Sequence, residues 1–161
     1  MKHLIMMYQA RLLALSAALA IVAAAPAFAQ NASTQNILRV DLTGFRSDHG
    51  SARCSLFNDR DPSAFPSNGD KLFKLAMASS IKNAATEVDF TGIPPGKYAM
   101  VCYHDENNNG KFDENMLGMP KEGYCFSNNI KPKFSAPTFE QCVFDYQGGD
   151  QSIAIAMIYL Y

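Results

Sequence analysis

The sequence predicts an all-β protein built as a single β-sandwich of about seven strands. Short segments alternate apolar and polar residues with a period of two, which is typical of strands because successive side chains point to opposite faces. Turn residues (Gly, Pro, Asn, Asp) separate these segments every ~8–12 residues, the spacing of a sandwich. The predicted strands are 37–45, 51–58, 71–81, 86–90, 97–104, 139–146 and 152–161.

Three segments depart from simple alternation. Segment 71–81 also fits a short helix, and a strand is favoured because its neighbours are β. Segment 152–161 is apolar on both faces, which predicts a strand that is central in its sheet or covered on both sides. Segment 116–137 mixes Gly, Pro, Asn and aromatic residues without a period, which predicts ordered but irregular chain.

The first 29 residues have the pattern of a secretory signal peptide. Lys2 and Arg11 supply positive charge, an uncharged apolar run follows, and an Ala-Phe-Ala sequence ends at Ala29. We expect cleavage after Ala29, with an uncleaved anchor as the alternative. The expected product is a periplasmic or secreted chain with a flexible polar tether at 30–36 and a β-sandwich domain at 37–161.

The charge distribution argues against a nucleic-acid partner. Of the 14 basic residues, Lys2 and Arg11 lie in the leader, so 12 remain against 15 acidic residues. Nucleic-acid binding requires clustered Lys and Arg to neutralise phosphates, and the chain has no such cluster. No second long apolar segment follows the leader, so no membrane span is expected after cleavage. The expected partner is an envelope or extracellular one that the sequence does not identify.

The cysteines predict covalent cross-links. An even number of cysteines in an exported chain favours two disulfides, and buried free thiols are the alternative. Cys54 and Cys102 both lie on the core-facing side of their predicted strands, whereas Cys125 and Cys142 lie in the C-terminal third of the chain. We therefore predict the pairs Cys54–Cys102 and Cys125–Cys142.

Segment 105–115 has the spacing of a Ca²⁺-binding loop. Oxygen side chains recur at alternate positions, and alternate residues of a tightly curled loop point inward towards one cation. Gly110 occupies the position at which such a loop turns sharply. The predicted metal ligands are Asp105, Asn107, Asn109, Asp113 and the backbone carbonyl of Lys111.

The loop departs from an EF-hand in two respects, because Met116 replaces the bidentate Glu and a strand precedes the loop. Any affinity should therefore lie in the ~10⁻⁴–10⁻³ M range of extracellular modules. A metal-free turn is the alternative, since Asn-rich segments with Gly are also typical of turns. Additional ligands could come from Glu106, Glu114, Asn115, Glu122 or water.

The sequence contains no recognisable catalytic constellation, so we expect a non-enzymatic module that binds a partner or has a structural role. One alternative is a metal-assisted hydrolase that uses the 104–122 region, with His104 or Glu122 as the base. Another is an accessory subunit of an envelope complex, whose apolar last strand pairs with the edge of a partner's sheet.

Five blocks together resemble the exported bacterial proteins catalogued as domain of unknown function 2141. The blocks are 42–47 with 56–58, 92–99, 104–113, 117–128 and 137–140. Within the third block, His-Asp-Glu-Asn, then Asn-Gly-Lys and Asp113, match the family's signature. The resemblance implies an immunoglobulin-like or prealbumin-like antiparallel β-sandwich with a signal peptide, and no established activity. The four cysteines are a departure from the family pattern.

Overall fold

The structure is a computed structural model that describes residues 36–160. Within this range the chain forms eight strands, one short α-helix and three 3-10 helices, which confirms the all-β prediction but with eight strands instead of seven. The strands are β1 (Ile37–Thr43), β2 (Ser51–Asn58), β3 (Lys74–Ala78), β4 (Ala85–Thr91), β5 (Gly96–Asp105), β6 (Tyr124–Phe126), β7 (Phe144–Tyr146) and β8 (Gln151–Ala156). The helix α1 is Phe139–Cys142, and the 3-10 helices are Pro62–Ala64, Gly69–Lys71 and Ser127–Asn129.

The strands form two sheets. The first has the order β4-β1-β8, in which β1 is antiparallel to β4 and parallel to β8. The second has the order β3-β2-β5-β6, and β7 pairs with the start of β5 on the edge that β6 also uses. All pairs but β1–β8 follow the predicted antiparallel arrangement. The immunoglobulin-like or prealbumin-like arrangement stays a prediction.

The period-two alternation places one face of each sheet in a common core. In β1 the apolar residues Leu38, Val40 and Leu42 are fully buried while their neighbours are exposed or half-buried. They pack in one cluster with buried residues of β2 and β5 from the other sheet. A second cluster covers the outer face of the second sheet, where Phe65 makes edge contacts with Phe57 and other aromatic rings.

Segment 71–81 contains a strand, as predicted, but segment 139–146 does not form one strand. It begins with α1, and only β7 at its end is extended. Thr138 caps the helix in a capping box with Gln141, whose side chain accepts a hydrogen bond from the Thr138 amide at 2.9 Å. Strand β6 lies in the segment predicted to be irregular, and at three residues it is too short to show a period.

The last strand was predicted to be central or covered on both sides, and this is wrong. Strand β8 ends at Ala156, forms an edge of the first sheet, and leaves Ala154 and Ala156 exposed. The Asn129 side chain pairs with its outer edge, donating to the Ala154 carbonyl at 3.1 Å and accepting from the Ala156 amide at 2.8 Å. One side chain thus satisfies backbone groups that a further strand would otherwise pair.

One of the two predicted disulfides is present. Cys54 and Cys102 are directly opposite in the β2–β5 register and are bonded. The predicted pair Cys125–Cys142 is wrong, and both are buried free thiols. Cys125 belongs to the core between the sheets and Cys142 to the outer cluster, so the second sheet separates their side chains.

The predicted signal peptide 1–29 and residues 30–35 of the predicted tether lie outside the described residues. Asn36, the last residue of that tether, is bound to the domain: its carbonyl accepts from the Gly92 amide at 3.1 Å and its side chain from the Gly149 amide at 2.9 Å. Across residues 36–160, no helix has the length and apolar character that a membrane crossing requires.

Candidate functional site in the loop between β5 and β6

The loop begins where β5 ends, and His104 anchors its first stem. The His104 side chain is fully buried, and its ring packs edge-on against Phe45 at 4.9 Å between centroids. Its Nε2 lies 2.6 Å from the His49 carbonyl, which can only accept, so Nε2 carries the proton. Nδ1 lies 2.8 Å from the Tyr159 hydroxyl, within hydrogen-bond distance. Both ring nitrogens are therefore engaged in holding the stem.

The first turn of the loop forms around the carboxylate of Asp105, which is fully buried. One oxygen accepts from Arg53 Nε at 2.7 Å and from the Gly110 amide at 2.9 Å. The other accepts from the Asn109 amide at 3.0 Å. Charge-assisted bonds of this kind are about twice as strong as neutral ones, so one carboxylate fixes the loop against β2.

The outer part of the loop is a chain of side-chain hydrogen bonds. Asn107 Oδ1 accepts from the Asn109 amide at 3.0 Å, and Asn109 Oδ1 accepts from the Lys111 amide at 2.7 Å. The Asp113 carboxylate accepts from the side-chain amides of Asn107 at 2.8 Å and Asn109 at 3.1 Å. The asparagine N–H groups thus compensate the Asp113 charge in the described structure.

Glu122 closes the loop from its far end. Its side chain is nearly buried, and its two oxygens accept from the amides of Glu106 and Asp113, each at 3.0 Å. Burial raises the pKa of Glu122, and the two backbone hydrogen bonds offset part of that rise. Glu122 therefore ties the beginning of the loop to its return.

Arg46, from the turn between β1 and β2, bridges the two stems. Its Nε pairs with Glu106 at 2.7 Å, and its Nη2 donates to the Lys121 carbonyl at 3.0 Å. The guanidinium also lies over the Tyr159 ring, 4.8 Å from its centroid. Two arginines thus hold the loop, Arg53 through Asp105 and Arg46 through Glu106 and the Lys121 carbonyl.

Residues 113–121 form a small hairpin at the outer end of the loop. The Lys121 amide donates to the Asp113 carbonyl at 2.9 Å, and the Asn115 amide donates to the Met119 carbonyl at 2.8 Å. Asn115 Oδ1 also accepts from the Leu117 amide at 2.9 Å and the Met119 amide at 3.0 Å. The backbone of the tip is therefore fixed by one asparagine.

The tip side chains are apolar and face solvent. The relative exposure of Met116 is 102% and that of Leu117 is 84%. Phe112, which lies before the hairpin, instead packs edge-on against Tyr103 at 5.6 Å and Tyr124 at 6.1 Å between ring centroids. The aromatic ring anchors the loop to the sheet, whereas the two aliphatic side chains have no such role.

The structure brings the predicted ligands Asp105, Asn107, Asn109 and Asp113 into one hydrogen-bonded group. Lys111 contributes its amide to that group, while Glu114 and Asn115 belong to the hairpin stem and tip and Glu122 bonds the backbone. Among residues 36–160, no group of three or more His, Cys, Asp or Glu side chains is arranged to hold a metal ion. Whether the loop binds Ca²⁺ stays a prediction.

Sequence reasoning missed Arg53 as a member of the site. Its position was visible, because alternation along β2 places it on the face opposite to Cys54. What the sequence lacked was the register that pairs Ser51 with Asp105 and so brings the start of β2 beside the loop.

Residues 40–154 match the family model described as "Uncharacterized protein conserved in bacteria (DUF2141)". The match covers more than half of the chain and includes the complete loop. No curated protein and no solved structure matches the chain.

Proposed function

Because the chain belongs to this uncharacterized bacterial family, we propose from its site that it is an exported, non-enzymatic binding module. The loop between β5 and β6 is the proposed binding element. The observation that carries the proposal is the exposure of Met116 and Leu117 at the tip of a hairpin whose backbone is rigidly hydrogen-bonded. Rigid presentation of apolar side chains lowers the entropy that binding must overcome.

A pocket on another protein is the partner that this chemistry favours. Burying one aliphatic side chain is worth ~1.5–3 kcal/mol, so the pair can form a small hot spot in a pocket. Insertion of two such side chains into a bilayer would be marginal, since even a single myristoyl chain binds only reversibly. Residues 105–122 also contain five carboxylates against two lysines, which disfavours an anionic membrane surface.

The test is site-specific photocrosslinking in cells that express the full chain. A photoreactive phenylalanine analogue replaces Met116, and the matched control carries it at Phe134, which is 101% exposed in a different segment. We expect one discrete protein adduct from position 116, lost when Leu117→Asp is added. Identical labelling from both positions, or no adduct from position 116, would contradict the proposal.

Ca²⁺ is part of the proposal as a stabiliser of the 105–115 loop. The spacing of oxygen side chains supports it, and binding would require Asn107 and Asn109 to turn their amide oxygens towards the ion in place of the N–H groups that now contact Asp113. Thermal melts in millimolar Ca²⁺ and in excess EGTA test it. At a Kd of ~10⁻⁴–10⁻³ M, millimolar Ca²⁺ adds about 0.4–1.4 kcal/mol to the free energy of unfolding, and Asp113→Ala should abolish that gain. Identical melts in both conditions would remove Ca²⁺ from the account.

Export is also a proposal, supported by the leader pattern of residues 1–29. N-terminal sequencing of the protein recovered from the periplasm or medium should begin at Gln30. Recovery of an intact N-terminus in the cytoplasmic fraction would refute it.

No specific observation on residues 36–160 favours either alternative function. A hydrolase would need His104 or Glu122 as a base, but both ring nitrogens of His104 and both oxygens of Glu122 are engaged within the protein. A groove of about 580 Å³ lies elsewhere, between segments 60–66 and 136–140. Partner pairing through the last strand is disfavoured because Asn129 already bonds the outer edge of β8.

A further inference from the structure

Three of the four cysteines lie side by side across the second sheet. Cys54 of β2 is directly opposite Cys102 of β5, and Cys102 is directly opposite Cys125 of β6. Residues directly opposite each other share a face of the sheet, so all three side chains point into the core between the sheets. Their exposure is at most 1%, and all three belong to the same core cluster.

Only the middle cysteine can bond to either neighbour. The Cα atoms of Cys54 and Cys102 are 4.1 Å apart, and opposite residues of a hydrogen-bonded pair, such as Cys102 and Cys125, have Cα atoms ~5.5 Å apart, within the range that a disulfide spans. Cys54 and Cys125 are separated by two such spacings, about 9–10 Å, which exceeds the ~7 Å Cα limit for a disulfide. Disulfides Cys54–Cys102 and Cys102–Cys125 are therefore mutually exclusive.

We propose that Cys54, Cys102 and Cys125 form a thiol–disulfide exchange centre in which Cys102 is shared. The Cys125 thiolate attacks Cys102 Sγ, the Cys54–Cys102 bond breaks, and its electron pair leaves with Cys54. Cys54 takes up a proton equivalent to the one that Cys125 lost, so the exchange needs no oxidant or reductant. The product disulfide joins β5 to β6, the two stems of the binding loop, instead of β5 to β2.

Opening of β6 controls the exchange. Burial raises the pKa of Cys125 to about 12, and the Cys102 amide offsets part of that rise. In the closed state the Cys125 thiol is therefore protonated at pH 7, and a thiol does not attack rapidly. Strand β6 is only three residues long and all three residues are buried, so the exchange requires a local opening of β6 that exposes the thiol.

Cys142 provides the internal control. Its thiol is also buried and free, but it belongs to the outer cluster, on the opposite face of the same sheet. It cannot reach the centre without disrupting the fold. An exchange that depends on the row of three should therefore be unaffected by Cys142→Ser.

The test is disulfide mapping of the full chain by mass spectrometry without reduction. Trypsin cleaves after Arg53, Arg60, Lys97, Lys111, Lys121 and Lys133, so each cysteine falls in its own peptide. Refolded with reduced and oxidised glutathione, Cys54→Ser should form Cys102–Cys125 in more than half of the molecules. Cys102→Ser should form no Cys54–Cys125 bond, and Cys142→Ser should match the wild type. Free thiols at both Cys102 and Cys125 in folded Cys54→Ser would overturn the proposal.

A second measurement uses the wild type, in case Cys54→Ser does not fold. The oxidised protein is incubated at pH 8.5 in urea below its unfolding transition, quenched with acid and mapped, while alkylation in parallel reports access to Cys125. We expect the Cys102–Cys125 peptide pair to appear as Cys125 becomes accessible. Alkylation of Cys125 without any of that pair would overturn the proposal.

Discussion

Replacing Asp105 with Ala should destabilise the domain more than replacing any exposed Asp or Glu with Ala. The fully buried carboxylate accepts from Arg53 at 2.7 Å and from two loop amides at 2.9 and 3.0 Å. Its removal leaves two amides without their acceptor and a guanidinium that is only 22% exposed without its counter-ion. Breaking such a pair costs about 3–5 kcal/mol, or about 10–20 °C in Tm for a domain of this size.

Chemical denaturation by urea, followed by circular dichroism in EGTA, measures this cost. The matched control is Asp145→Ala, which removes a carboxylate that pairs with Lys97 at 2.9 Å while both side chains are more than half exposed. Surface pairs of this kind contribute ~0–1 kcal/mol. If the free energy of unfolding of Asp105→Ala falls no further than that of Asp145→Ala, the buried carboxylate does not organise the loop and the reasoning fails.

Two further predictions concern residues that hold the loop. Burial raises the pKa of Glu122, so its contribution to stability is full below the unfolded pKa of about 4.5 and is lost as pH rises through the folded pKa. The difference in free energy of unfolding between wild type and Glu122→Gln should therefore shrink as pH rises from 4.5 towards neutrality. Its slope should be at most ~1.4 kcal/mol per pH unit. A difference that grows with pH would refute this prediction. Gly50→Ala should cost about 2–4 kcal/mol, because φ is +80° there and a Cβ would lie 2.2 Å from the Asp105 carbonyl oxygen. The control is Gly69→Ala, whose added Cβ would have no heavy atom within 4 Å and should change stability by less than about 1 kcal/mol. Equal losses of stability in the two variants would contradict the packing argument.

The sequence predicted those strands whose two faces differ in polarity. Strand β1 alternates buried leucine and valine with polar residues, and its bounds agree with the prediction to within two residues. Strand β8 misled the prediction because alanines on its second face add apolar character without requiring burial. Helix α1 was missed although its Thr138–Gln141 capping box is a readable signal, because Phe139 and Cys142 at a spacing of three were interpreted within a strand.

The candidate loop could be located from sequence, but the interactions of its atoms could not. The spacing of Asp105, Asn107 and Asn109 identified a tight loop with inward oxygens. Whether those oxygens meet a cation or backbone amides depends on neighbours distant in the chain, and Arg53 is 52 residues away from Asp105. The same limit explains the cysteines, since register decides that Cys125 neighbours Cys102 while Cys142 lies beyond the sheet.

We infer that buried carboxylates hold the loop rigid without metal, so that its tip is ready to bind. Hydrogen exchange of the loop amides, measured by NMR in EGTA, tests it most directly. Four amides are bonded to Asp105 or Glu122, and they should exchange about 100-fold or more slowly than in an unstructured peptide: those of Glu106, Asn109, Gly110 and Asp113. Exchange of these amides at the rate of an unstructured peptide would contradict the account.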